Sequence, residues 1–160
     1  MATKVSPSVV VSLHIAPNGA APIQSLDSVK AIVGRGLDGD RYCNLSGTYS
    51  NQPGDGRQVT LIEIEAIEAL GREYQIALAA GSARRNIVTR GVALNHLVER
   101  EFRVGAATFL GKRLCEPCLH LERLTQAGTM RGLIHRGGLR AEIIVGGVVR
   151  VGDRIVMVEN

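Results

Sequence analysis

The spacing of glycine constrains this chain more than any other feature of its sequence. Nineteen glycines and five prolines cut the aliphatic and β-branched residues into short runs. Segments 9–13, 28–33, 57–62, 86–89, 102–104, 106–114, 141–145 and 148–158 each read as a strand. The breaks between them are turn sequences. Pro17, Asn18, Gly19 and Pro22 make 16–24 a loop, and three glycines force a tight turn in 34–40. Gly105, Gly146-Gly147 and Gly152-Asp153 interrupt the later strands. Segment 45–56 is polar, rich in Gly, Ser and Asn, and reads as a surface loop.

One segment carries a clear helical period. Ile64, Ile67 and Leu70, with Tyr74 further on, form an apolar stripe, and Thr60 with Glu63 has capping-box spacing. Segment 92–98 reads as a helical turn, and 119–124 and 130–134 as short helices. The expected architecture is β-rich, mainly β or α+β. It is a curled mixed sheet or β-barrel with a few short helices, forming one domain over residues 1–160.

Composition narrows the function. Aromatic residues are 3% of the chain and Trp is absent, so Val, Ile, Leu and Ala must fill the core. That scarcity argues against nucleic-acid modules that stack bases on aromatic side chains. The net charge of +4 comes from 16 Arg and 3 Lys set against 15 acidic residues. Arg presents a planar fork that matches phosphate and carboxylate oxygens in pairs, so an anion site is one reading of the bias. A codon preference for Arg is the other. No stretch approaches the roughly 20 apolar residues of a membrane span, and segment 1–7 lacks the apolar run of a signal peptide. Cys43, Cys115 and Cys118 are an odd number and do not form a secreted disulfide framework. The expected setting is the cytoplasm, with reduced thiols.

Cys115-Glu116-Pro117-Cys118 is the sharpest local signal. It could be half of a zinc site, with His120 or His135 completing it, but a second Cys pair is missing. It could be a thioredoxin-like redox pair, although the chain lacks the βαβ alternation that such a pair belongs to. The third reading is a single working thiolate at Cys118, where a strand ends and a short helix begins, since a helix N-terminus lowers a thiol's pKa. Two small buried hydrophobes are the bland alternative.

Arg84-Arg85-Asn86 opens a predicted strand. Neighbours on a strand point to opposite faces, so Arg84 and Asn86 would share a side and Arg85 would not. Guanidinium and carboxamide together suit an anion and the edge of a heterocycle. A solvated strand end is the alternative. Arg41 follows a turn that Asp40 can fix through its side chain, and is a second anion contact or a surface residue. His14, His96, His120 and His135 show no metal-binding spacing.

These motifs stand together and in order. They are Gly36-Leu37-Asp38-Gly39-Asp40-Arg41-Tyr42, Arg84-Arg85-Asn86-Ile87-Val88-Thr89-Arg90-Gly91-Val92, Phe102-Arg103-Val104-Gly105, Cys115-Glu116-Pro117-Cys118 and Val151-Gly152-Asp153. In this the chain resembles the MOSC domain, named after the C-terminal part of molybdenum cofactor sulfurases. The resemblance implies a β-rich, barrel-like fold and a site for molybdenum cofactor. Cys118 matches the cysteine that ligates the metal, Arg84 and Asn86 match a cofactor-contacting Arg-x-Asn motif, and Arg41 falls in a matching basic position. Cofactor-binding relatives also carry a Lys-Ser pair, and segment 17–24 has none.

The resemblance further implies a reductase component for N-hydroxylated small molecules, fed by a separate electron-donor protein. Its alternative is a sulfur carrier holding a persulfide that a cysteine desulfurase delivers to Cys118, with Cys115 as a resolving thiol. The family also has an association with pyridoxal phosphate. A non-catalytic basic binding module is the remaining reading. Open strand edges would allow a homodimer.

Overall fold

The structure, a computed structural model, describes residues 7–45 and 57–159. Most of the loop expected over 45–56 therefore lies outside the described residues.

Strands β5 (Val59–Glu63) and β6 (Ile87–Arg90) form the centre. They are the parallel pair of a sheet whose other ladders are antiparallel. Both carry apolar side chains on both faces, as buried parallel strands do. Val59, Leu61 and Ile87 point into one core cluster, while Ile62 and Val88 point into the other. A parallel pair needs a crossover, and helix α1 (Ile64–Tyr74) supplies it, burying Ala66, Ile67, Ala69 and Leu70.

The expected capping box does not form. Thr60 stays in β5 because Leu61 pairs with both Ile87 and Leu139, so the ladder runs on to Glu63, which becomes the helix N-cap.

Around this centre stand β1 (Val9–Ile15) and β2 (Gln24–Leu26) on one side. On the other stand β7 (Glu101–Val104), β8 (Ala107–Leu114), β9 (Leu139–Val145) and β11 (Ile155–Met157), giving the order β11-β7-β8-β9-β5-β6-β1-β2. A smaller sheet joins β10 (Gly147–Arg150), β3 (Ser28–Ile32) and β4 (Gly36–Leu37). Two short helices, α2 (Leu119–Leu124) and α3 (Thr129–Gly132), link β8 to β9. Strand β2 starts at the last residue of the segment that reads as a loop, and β4 falls in the one that reads as a tight turn. At three and two residues they owe their form to the strands beside them.

The large sheet curls without closing into a barrel. Val9 bridges Arg154, and Val10 exchanges backbone hydrogen bonds with the Gly152-Asp153 turn at 2.9 Å each. Further along, β2 takes the same edge of β1 by pairing with Leu13, His14 and Ile15, so a full ladder cannot form there. Inside the curl, Phe102 and Phe109 face each other across β7 and β8, edge to face, with centroids 5.8 Å apart. They are the chain's two phenylalanines, and such a pair contributes about 1 kcal/mol beyond its buried area.

Asn86 ties three strands together. Its carboxamide oxygen accepts from the Thr60 backbone N–H at 3.0 Å and from the Thr60 hydroxyl at 3.2 Å, and its amide donates to the His14 carbonyl at 3.1 Å. The residue is 0% exposed. An Asn86→Ala protein should lose about 2–4 kcal/mol of unfolding free energy in urea, because a buried N–H and C=O are left without partners. A loss below about 0.5 kcal/mol, the level of a neutral surface change, would refute this role.

Candidate functional site

The Cys115–Cys118 segment leaves β8 and is held from behind. The Cys115 N–H donates to the Gly138 carbonyl at 2.7 Å. The Arg85 guanidinium donates to the carbonyls of Gly137, at 2.8 Å, and Cys115, at 3.2 Å. Close approach explains the glycine pair. A Cβ on residue 137 would stand 2.6 Å from the Cys115 carbonyl oxygen, and Gly138 has a φ of +120°. Cys118 then caps α2 and is half-buried, while Cys115 is 1% and Cys43 4% exposed.

Cys115 and Cys118 open onto a cavity of about 260 Å³. Six arginines line it: Arg41, Arg57, Arg84, Arg85, Arg113 and Arg140. They come from five separate stretches of the chain. Tyr42, Thr60, His120 and Glu116 share the wall. Both oxygens of Glu116 are engaged by His135, one by its N–H at 2.9 Å and the other by Nδ1 at 3.2 Å.

Three of the arginines are braced by the fold. Arg41 pairs with the buried Asp40 at 3.0 Å, donates to the Arg84 carbonyl at 2.9 Å, and lies 4.8 Å from the centre of the Tyr42 ring. Asp40 fixes its turn as the sequence suggests, accepting from the N–H groups of Ala16 and Tyr42. Arg84 donates to the carbonyls of Ala21 and Gly19 at 2.8 and 3.0 Å, latching the 17–24 loop across the cavity. Burial, then the neighbouring Arg41 charge, lowers its pKa from the ordinary value.

Arg140 differs. Its Nη1 is buried and has no hydrogen-bond partner. Burial pulls the pKa of its guanidinium down, but the Cys115 thiol, Tyr42 and the Cys118 thiol together outweigh that and raise it.

Of the residues singled out from sequence, the fold brings Cys115, Cys118, Arg41 and Arg84 to one cavity. Asn86 does not line it. The expected alternation fails because Arg84 adopts a left-handed φ of 58° before β6 begins, so Arg84 and Arg85 both reach the wall while Asn86 turns into the strand junction. Arg57, Arg113 and Arg140 carry no mark in the sequence, while Tyr42 enters there only as part of its turn motif and His120 only as a possible zinc ligand. Arg113 and Arg140 meet only through the β8–β9 register, and no local motif marks either.

His14 lies away from the cavity wall, between the hydroxyls of Ser12 and Ser25, and burial lowers its pKa below the ordinary 6.5. Among the described residues, no group of three or more His, Cys, Asp and Glu side chains could hold a metal ion, so the zinc reading of the Cys pair finds no ligand set.

A sequence model of the MOSC domain matches residues 48–156. The chain belongs to the MOSC domain family. The matched span contains Arg84, Asn86, Cys115 and Cys118, and Arg41 precedes it. Solved structures of similar fold include the YuaD protein from Bacillus subtilis, at a TM-score of 0.79 and 18% identity, with 98% of this chain and 99% of that one covered. YiiM from Geobacillus stearothermophilus aligns at 0.71 and 15% identity, over 96% of this chain and 76% of that one. YiiM from Escherichia coli aligns at 0.68 and 18% identity, over 99% and 71%. No curated protein sequence matches this chain. Among the described residues, no helix is long and apolar enough to cross a membrane.

The three thiols of this MOSC protein differ in access, and access controls alkylation as much as thiolate content does. Brief treatment of the native protein with iodoacetamide should modify Cys118 and spare Cys43 and Cys115 in peptide mass spectra. Equal labelling of all three would contradict the burial described above.

Proposed function

We propose that this MOSC domain binds molybdenum cofactor, with Cys118 as the protein ligand to the metal, and acts as the terminal component of a reductase for N-hydroxylated compounds. The observation that carries the reading is a half-buried thiol opening onto an arginine-lined cavity. The cofactor's chemistry asks for that combination: a soft thiolate for a metal already bound by sulfur, and guanidinium groups for a phosphate. When bound, the cofactor supplies the two-electron redox chemistry.

The chain's own residues would then do the following. Arg41 and Arg84 hold the phosphate, and Arg84 also keeps the 17–24 loop over the cavity through Gly19 and Ala21. That loop lacks the Lys-Ser pair of cofactor-binding relatives, and the guanidinium reaching across it puts positive charge in the same region. Asn86 serves this reading at one remove, by fixing the junction from which Arg84 and Arg85 project. His120, on the cavity wall, delivers a proton from its imidazole to the hydroxyl that leaves as water. Electrons come from a separate donor protein.

Protein made in a cofactor-competent host should carry molybdenum by elemental analysis and pterin by fluorescence. Cys118→Ala should lose most of the metal and at least about tenfold in turnover of an amidoxime, the usual scale for loss of a metal ligand or its support. A variant that keeps metal and full activity would eliminate Cys118 as the ligand.

A second reading, a sulfur carrier, is favoured by one observation: the buried Cys115 thiol lines the same cavity as Cys118. There, the Cys118 thiolate takes the outer sulfur of a desulfurase persulfide and the desulfurase leaves with a free thiol. Incubation with a cysteine desulfurase and cysteine should then add the mass of one sulfur atom at Cys118. An unchanged mass would remove this reading.

A further inference from the structure

Strand geometry builds a second constellation away from the thiol cavity. Residues two apart on a strand share a face, so β1 sends Ser12 and His14 to one side, opposite Leu13, which enters the core. The β1–β2 register then sets Ser25 directly across from His14. The imidazole lies between two hydroxyls. Its Nε2 is 2.8 Å from Ser12 Oγ, and its Nδ1 is 3.1 Å from Ser25 Oγ. A neutral imidazole has one donor and one acceptor nitrogen. With the hydrogen on Nε2, the ring donates to Ser12 and accepts from the Ser25 hydroxyl at Nδ1. Glycine at 81 leaves room for this, since a Cβ there would stand 2.9 Å from Nδ1.

The two partners differ in access as a base and a nucleophile should. His14 is 4% exposed, and burial lowers its pKa from the ordinary value, so the ring is neutral at neutral pH. Ser25 is exposed. It stands on an open cleft of about 410 Å³, together with Gly81, Ser82 and Arg84. The rest of the wall is apolar, from segment 20–23, Ala79 and Leu124. A hydroxyl held by a base, with the base oriented by a further group, is the form of an activated nucleophile.

We propose that Ser25 is a nucleophile with His14 as its general base, in a site that hydrolyses carboxylic esters of small apolar acyl groups. Ser25 Oγ attacks the ester carbonyl as its proton passes to His14 Nδ1. The Oγ–carbon bond forms, the carbon–alkoxy bond breaks, and the imidazolium gives its proton to the departing alcohol. Water then attacks the acyl-serine and gives a proton to His14. The carboxylic acid leaves, and the same proton returns to Ser25. The Arg84 charge on the cleft favours the oxyanion formed in each half. This activity does not rest on the cofactor reading, since neither Ser25 nor His14 lines the thiol cavity.

The test treats full-length native protein with a fluorophosphonate, which phosphonylates activated serines, and reads the labelled site by peptide mass spectrometry. Wild type should be labelled at Ser25, and protein unfolded in urea should not. His14→Gln should take the label about a hundredfold more slowly, the scale of a lost general base. Ser25→Ala, changed at an exposed position, should lose the label. With Cys118 first blocked by iodoacetamide, that variant should also hydrolyse p-nitrophenyl butyrate about a hundredfold more slowly than wild type.

Native wild type that stays unlabelled at Ser25 overturns the proposal, as does ester hydrolysis unchanged in Ser25→Ala. Labelling of His14→Gln at the wild-type rate, in protein that melts as wild type does, removes His14 as the base. A serine without a base is a weak nucleophile, so native against urea-unfolded labelling decides the matter even where His14→Gln fails to fold.

Discussion

Everything at the site hangs on the carboxamide of Asn86. A single buried side chain satisfies the Thr60 N–H and hydroxyl on one neighbouring strand and the His14 carbonyl on another. The Asn86 backbone repeats the tie, accepting from the His14 N–H at 2.8 Å and donating to the Thr60 carbonyl at 3.0 Å. Because these groups are shielded from water, each bond is costly to leave unmade, and the register of β1, β5 and β6 is fixed with little slack. The loop that ends in Arg84 and Arg85 is thereby delivered to one place on the sheet.

From that place the two arginines work in opposite directions. Arg84 reaches the Gly19 and Ala21 carbonyls, while Arg85 reaches those of Gly137 and Cys115. A guanidinium is suited to both tasks, since its fork satisfies two carbonyls at once and keeps its charge when half-buried. The Cys115–Cys118 segment is thus clamped between Arg85 and the Gly137-Gly138 turn. Charge and thiol end on one wall because the same strand junction supports both.

The likeness to YuaD and YiiM is one of fold, at 15–18% identity. What a MOSC sheet offers is a curled, mixed framework on which loops from distant parts of the chain converge. In this chain the convergence is dominated by arginine. Arg41, Arg84 and Arg85 reach it from loops, and Arg113 and Arg140 from the sheet itself.

The sequence by itself determined the strand-rich architecture, the principal helix, the glycine turns and the family. These follow from local rules: period-two runs, a stripe at helical spacing, and glycine where φ must be positive, as at Gly39 and Gly152. It also singled out Cys118, Arg41 and Arg84, because each lies in a compact motif. Only the tertiary structure decided the rest. Thr60 fitted both a strand and a helix cap, and it is the strand that forms, because pairing on both sides of β5 outweighs one cap. Asn86 looked like a ligand contact and became a clamp, because Arg84 adopts a left-handed turn that strand alternation cannot foresee. Arg57, Arg113 and Arg140 carried no local signal at all. Cross-strand register between segments far apart in the chain brings them to one cavity, and register is set by which faces can be buried together, a property of the whole sheet.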